Sequence, residues 1–220
     1  MRLRLPEERP TEPPTGYKIA HPVLSQDGTR AGFTGVSLGG ALPYAVLDEA
    51  RCVYGLRHRA PHRRCDCGFH CVHDRAEAEA LLCTGEHRAA VLLEVSVLGA
   101  YIRFERGFRY ARQRVRTMTV GSCGCGGAAV ALADADWGRP GWRALRAACT
   151  GCVRGRTSLS PAVFERLAGE GLRVRVAQAA VGYPAGLGVS ELVAEAALLQ
   201  ARLDWFQTQL AQLEERGPQA

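Results

Sequence analysis

The most regular hydrophobic pattern lies at the end of the chain. Leu192, Ala196, Leu199, Leu203, Phe206, Leu210 and Leu213 recur at alternating spacings of four and three, and no Gly or Pro falls between Ser190 and Arg216. That is a heptad seam held for about three heptads, with Ser190 placed as its N-cap. It predicts a long C-terminal helix within residues 187–220. Leu192, Leu199, Leu203, Phe206, Leu210 and Leu213 would form its oligomerising face, toward a second copy or a partner helix. The plainer alternative packs the helix onto the protein's own sheet. Glu195 and Arg202 beside the seam favour pairing between helices, while the small Ala196 adds little to it.

The rest of the chain reads mostly as strands. Residues 1–16 carry Pro6, Pro10, Pro13 and Pro14 among mixed charges, as expected of a flexible tail. Tyr17 to Leu24 and Arg30 to Leu38 suit a hairpin around Gln26-Asp27-Gly28, and Gly39-Gly40 breaks it. Tyr44 to Val53 is a short extended stretch. His70 to Leu82 looks helical, with Asp74 as N-cap. Ala89 to Leu98, rich in Val and Leu, reads as a buried strand. Tyr101 to Arg106 and Phe108 to Val115 read as a hairpin around Gly107. Ser160-Pro161 opens a short helix with Ser as cap and Pro at its first position, and Gly171 to Val181 suits one more strand before a Gly/Pro linker.

These elements predict an α+β fold, a small and mostly antiparallel sheet with two zinc-knuckle-like sites and a long C-terminal helix. The expected order is a tail (1–16), a β-rich domain with a first metal site (17–116), a second metal-binding unit (117–157), a helix–strand extension (158–186) and the heptad helix (187–220). Aromatic residues make up only 7% of the 220 residues. So thin a core would gain from cross-links, and bound metal supplies folding free energy directly.

The cysteines are the candidate cross-links. There are nine, an odd number, at close spacings. The N-terminus has no apolar run fit for a signal peptide, and no stretch approaches the ~18–20 apolar residues of a membrane span. A cytoplasmic chain without membrane association is expected, and its cysteines then favour metal over disulfides. Cys123-x-Cys125 and Cys149-x-x-Cys152 are each knuckle-like, with Gly124, Gly126, Gly127 and Gly151 beside them. The 23 residues between the pairs leave room for a loop and a short helix. Four thiolates favour zinc in a closed structural site, with an iron–sulfur cluster or redox thiols as the alternatives. In the first cluster, Cys52, Cys65 and Cys67 can meet. The fourth ligand is open among His58, His62, His70, Cys71 and Cys83, and an all-cysteine set of Cys65, Cys67, Cys71 and Cys83 also competes. Two zinc ions per chain are expected.

The run His58-x-Ala60-Pro61-x-x-x-Cys65-x-Cys67-Gly68-Phe69-His70 resembles a motif of small actinobacterial proteins of no assigned activity. In those proteins an upstream Cys precedes H-x-A-P and C-x-C-G. Gly107-Phe108-Arg109-Tyr110-Ala111 resembles a later stretch of the same group. The likeness covers roughly residues 45–115. It implies Cys52, His58, Cys65 and Cys67 as one ligand set and says nothing of the second cluster or the heptad helix. Cys71 stands where that group has a small residue.

No catalytic constellation assembles. There is no His-x-x-x-His with an intervening Glu, His73-Asp74-Arg75 is not the His-x-Glu of zinc deaminases, and Cys149-x-x-Cys152 lacks the preceding Pro. Charge adds a second theme. The net charge is +6, and Lys18 is the only lysine. No acid occurs from 51 to 64 or from 137 to 156, the stretches around the cysteines. Between them, arginines interleave with Tyr101, Phe104, Phe108 and Tyr110. Basic residues beside knuckles suit phosphate contacts and base stacking, and Arg59, Arg63, Arg64, Arg109, Arg112, Arg154 and Arg156 are the candidates. The plainer reading is arginine replacing lysine on ordinary solvated faces.

Three functions follow in order. The first is a non-enzymatic, zinc-stabilised binding or scaffold protein that engages a protein partner or itself through the heptad helix. The second is a zinc-containing nucleic-acid-binding regulator. The last is a zinc or thiol redox enzyme.

Overall fold

The computed structural model describes residues 12–36, 42–52, 54–83 and 87–177. Most of the proline-rich tail, the Gly/Pro linker and the expected heptad helix of 187–220 lie outside the described residues. Ten strands form one sheet: β1 (Thr15–Ser25), β2 (Ala31–Gly35), β3 (Leu47–Glu49), β4 (Phe69–Val72), β5 (Val91–Phe104), β6 (Gly107–Val120), β7 (Ala131–Arg139), β8 (Trp142–Ala148), β9 (Ser158–Leu159) and β10 (Arg173–Val176). Among the described residues the helices are α1 (Arg75–Leu82) and α2 (Pro161–Ala168). All pairings are antiparallel except that of β10 with β6.

The two longest strands, β5 and β6, form a hairpin that closes at the Phe104–Gly107 pair. A register shift between Leu98 and Tyr101 lets β5 continue, so the two strands expected from Ala89 to Arg106 are one. β1 pairs with β5 through its first half and with β8 through its last residues, while β2 folds back along it. Strand β4 lies between β6 and β1 and meets β1 at Tyr17–Val72. The pairings β1–β5–β6–β4 therefore return to β1 and form a closed circuit. Phe33, Leu93, Val95, Tyr110, Val115, Met118 and Phe164 are fully enclosed in the main core. Gly107 is required where β6 passes β4: a Cβ there would lie 2.0 Å from the Cys71 carbonyl oxygen.

Two expectations need correcting. His70 to Val72 is strand rather than helix. Helix α1 begins only after Asp74, whose side chain accepts a hydrogen bond from the Ala76 N–H. The β-branched and aromatic residues before Asp74 pair with β6 instead of extending a helix. The stretch 117–157 is not a separate unit with a loop and short helix between its cysteine pairs. It contains instead the β7–β8 hairpin, and β8 is hydrogen-bonded to β1 in the common sheet. Leu132, Ala133, Ala144 and Leu145 are the buried residues that tie this hairpin to the body.

Helix α2 follows its expectation. Ser160 caps Val163 N–H, Pro161 opens the helix, and Phe164 inserts beside Phe33 with ring centroids 5.8 Å apart. Replacing Phe164 with Ala leaves a cavity against the sheet. Denaturant unfolding should show a loss of about 3–5 kcal/mol, and a loss under about 1 kcal/mol would contradict this packing.

Candidate metal centres

Centre 1 is built by the loop between β3 and β4. The ligand atoms of Cys52, His58, Cys65 and Cys67 all lie within 4.8 Å of one another. Cys52 Sγ and Cys65 Sγ are 3.9 Å apart, and His58 Nε2 lies 3.1 Å from Cys67 Sγ. Two thiolates bound at ~2.3 Å to one tetrahedral zinc stand ~3.8 Å apart, so the donor set fits a single ion of that size.

The competing fourth ligands are placed elsewhere. His62 stacks on His58 with centroids 4.5 Å apart and takes the Arg64 N–H on Nδ1. His70 turns its Nε2 to the Asp66 carbonyl, 3.1 Å away. Cys71 is buried in the main core, and exposed Cys83 caps α1 with its Sγ 3.5 Å from the Glu79 carbonyl. The all-cysteine set is therefore not brought together, and His58 completes the cluster.

A residue on β6 braces this loop. Arg109 is only 6% exposed. Its Nη1 donates to the Cys65 carbonyl at 2.5 Å, its Nη2 donates to the His62 carbonyl at 3.2 Å, and Asp66 stands 3.3 Å from Nη1. Gly68, with φ at +131°, lets the chain leave the knuckle beside Arg109: a Cβ there would lie 2.9 Å from Arg109 Cγ. Sequence reasoning places Arg109 among the nucleic-acid contacts. The structure turns it inward as the support of the metal loop, because β4 pairs with β6 and carries the knuckle over that side chain.

Centre 2 joins the turn after β6 to the turn after β8. Cys123, Cys125, Cys149 and Cys152 also lie within 4.8 Å of one another, with Cys125 Sγ and Cys149 Sγ 3.5 Å apart. Each pair sits in a tight turn: Cys123 N–H reaches Gly127 O at 2.9 Å, and Val153 N–H reaches Cys149 O at 3.0 Å. The thiols disturb one another. The Cys152 backbone N–H, then the Cys125 side chain, hold Cys149 down to about 6. Hydrogen bonds to the Cys125, Cys123 and Cys149 sulfurs push Cys152 up to about 12. Negative charge crowded in this way is relieved by a dication among the sulfurs.

Both clusters can therefore hold a metal ion. The other arginines divide. Arg59, Arg63, Arg64 and Arg154 are exposed, and among the described residues no carboxylate pairs with them. Arg112 lies 3.9 Å from Glu49, and Arg156 is paired with Asp136. The heptad residues Leu192, Leu199, Leu203, Phe206, Leu210 and Leu213 lie outside the described residues.

Removing the brace should loosen one centre alone. Arg109→Met is expected to weaken metal retention at centre 1 by about 10–100-fold, read by chelator competition, with centre 2 unchanged. Equal loss from both centres would contradict this assignment. Because thiolates bind metal and thiols do not, retention at both centres should fall as pH falls. Metal release that grows with rising pH in the neutral range would contradict thiolate ligation.

Comparison with family models, with curated proteins and with solved structures finds no match to this chain, so the functional reading rests on the chemistry of the two clusters themselves.

Proposed function

We propose that the protein is a non-enzymatic binding or scaffold protein stapled by two structural zinc ions. The observation that carries this reading is the completeness of the two ligand sets. Centre 1 supplies three cysteines and a histidine, centre 2 supplies four cysteines, and a full tetrahedral shell leaves no position for a reacting water. Sulfur-rich tetrahedral donors favour zinc among the common divalent ions. Convergence of each set on one point supports a single ion over an iron–sulfur cluster, whose cysteine sulfurs sit farther apart.

Binding is assigned to the heptad seam, on the strength of its unbroken four-and-three spacing. It would pair with a second copy or with an amphipathic partner helix. Light scattering across a range of protein concentrations checks the self-pairing form. A mass above the monomer that falls to the monomer in the Leu203→Asp/Leu210→Asp double variant supports it. For a wild type that stays monomeric, a helix-partner screen decides, and a double variant that captures the same partner equally well overturns the seam as binding face.

A second reading has its own support. Arg59, Arg63 and Arg64 stand exposed in the loop that carries centre 1, and unpaired cations there suit phosphate contacts. Fluorescence anisotropy with single-stranded RNA should then give an affinity that falls steeply with salt, with a log–log slope reduced in Arg63→Ala/Arg64→Ala. Salt-independent or absent binding would remove this reading.

A further inference from the structure

A cavity of about 760 Å³ opens beside β1 and β4; no ligand residue of either centre lines it, although Arg51 and Gly68, next to Cys52 and Cys67, do. That volume lies within the range of small-molecule sites. Its walls are mainly apolar, and its rim gathers Leu42, Leu81 and Phe104, which are 73%, 42% and 50% exposed. Large apolar side chains left in water around one concavity mark a place where an apolar body is received.

The only lysine of the chain lines this cavity. Lys18 is half-buried on β1, with its Nζ 4.9 Å from the Tyr44 ring centroid and 5.1 Å from that of Phe69. Burial lowers its pKa to about 8, so it remains mostly a cation at neutral pH. No carboxylate of the described residues pairs with it. Asp48 and Glu49 also line the cavity, but Asp48 accepts the N–H groups of Ala45 and Glu49, and exposed Glu49 lies 3.9 Å from Arg112. Neighbouring Cys71 is pushed up to about 11 by burial and stays a neutral thiol. The two ring faces attract the ammonium group, but weakly beside what a carboxylate would supply. A half-desolvated cation in an apolar cavity without a counter-ion is costly unless a ligand supplies one.

We propose that this cavity binds a monocarboxylate with an apolar body, its carboxylate against the Lys18 ammonium and its hydrocarbon along Leu42, Phe69 and Phe108. This proposal does not rest on the heptad or arginine readings of the proposed function. The class follows from the walls: of the three cations that line the cavity, Arg51 is exposed and Arg106 is exposed and paired with Glu77, so Lys18 is the partly buried one that calls for a negative charge, and the mainly apolar lining calls for a body that gains by leaving water. A small polar acid would satisfy Lys18 and leave the apolar walls wet. An uncharged amphiphile would cover the walls and leave Lys18 without an anion.

The test uses decanoate, decanol and acetate with the metal-loaded full-length protein, by isothermal titration calorimetry at neutral pH. Decanoate should bind at one per chain, with decanol and acetate each weaker by about tenfold or more. Lys18→Met, close in shape and without the charge, should keep its metal content and bind decanoate no better than decanol. Because the chain has one lysine, its side-chain 13Cε resonance is a single signal in the wild type. That signal should move with decanoate and stay with decanol, which decides the matter should the variant fold poorly. Decanol binding as tightly as decanoate, unchanged decanoate affinity in a folded Lys18→Met, or no lysine shift at millimolar decanoate would overturn the proposal.

Discussion

Strand β6 is hydrogen-bonded to β3, β4, β5 and β10 along its length, and both metal centres hang from it. Near its start, Arg109 reaches under the first knuckle and fixes two of its carbonyls. At its end the chain leaves Val120 and enters Cys123 within three residues. The sheet thus sets the position of one thiolate pair directly and of the other through a buried guanidinium. The two Nη groups of that guanidinium donate to carbonyls and one faces Asp66, which offsets part of its desolvation, while its buried Nε has no partner among the described residues.

The metals are read as fasteners for segments with little apolar content of their own. Residues 52–67 are arginine-rich and largely exposed, so hydrophobic burial cannot hold them down. A bound ion would replace the missing core there, since its binding free energy becomes folding free energy. The same applies to the turns of centre 2, where Cys125 and Cys152 are exposed and the β7–β8 hairpin is joined to the end of β6. In this view centre 1 also sets the start of β4, the strand whose Phe69 and Cys71 wall the Lys18 cavity.

Much of this is legible in the residues. Cysteine spacing picks out both ligand clusters, because short Cys-x-Cys and Cys-x-x-Cys turns bring their sulfurs together whatever the fold around them. Asp74 and Ser160 announce their helices because a cap is a local device. What stays hidden is nonlocal. His70-Cys71-Val72 carries no local signal that it pairs with Phe108 and its neighbours, so the sequence joins it to the helix after it. The hairpin between the second cysteine pairs has small residues, Ala133 and Ala144, at buried positions, which gives it a weak strand signature. Arg109 reads as one more surface cation in a run of arginines, since only the β4–β6 register reveals what lies over it. Lys18 stands out as the single lysine, yet its cavity exists only once β1 and β4 are side by side.

The central claim is that two closed four-ligand zinc centres hold the protein's loops to its sheet. Metal quantification with X-ray absorption at the zinc edge tests it most directly on the purified native protein. Seven sulfurs and one imidazole nitrogen shared by two ions average to 3.5 sulfurs and 0.5 nitrogen per zinc (7/2 and 1/2), with no oxygen in the shell. Two zinc ions per chain with that shell is the predicted result. A bound water oxygen, iron in place of zinc, or a chain that folds fully with no metal would contradict it.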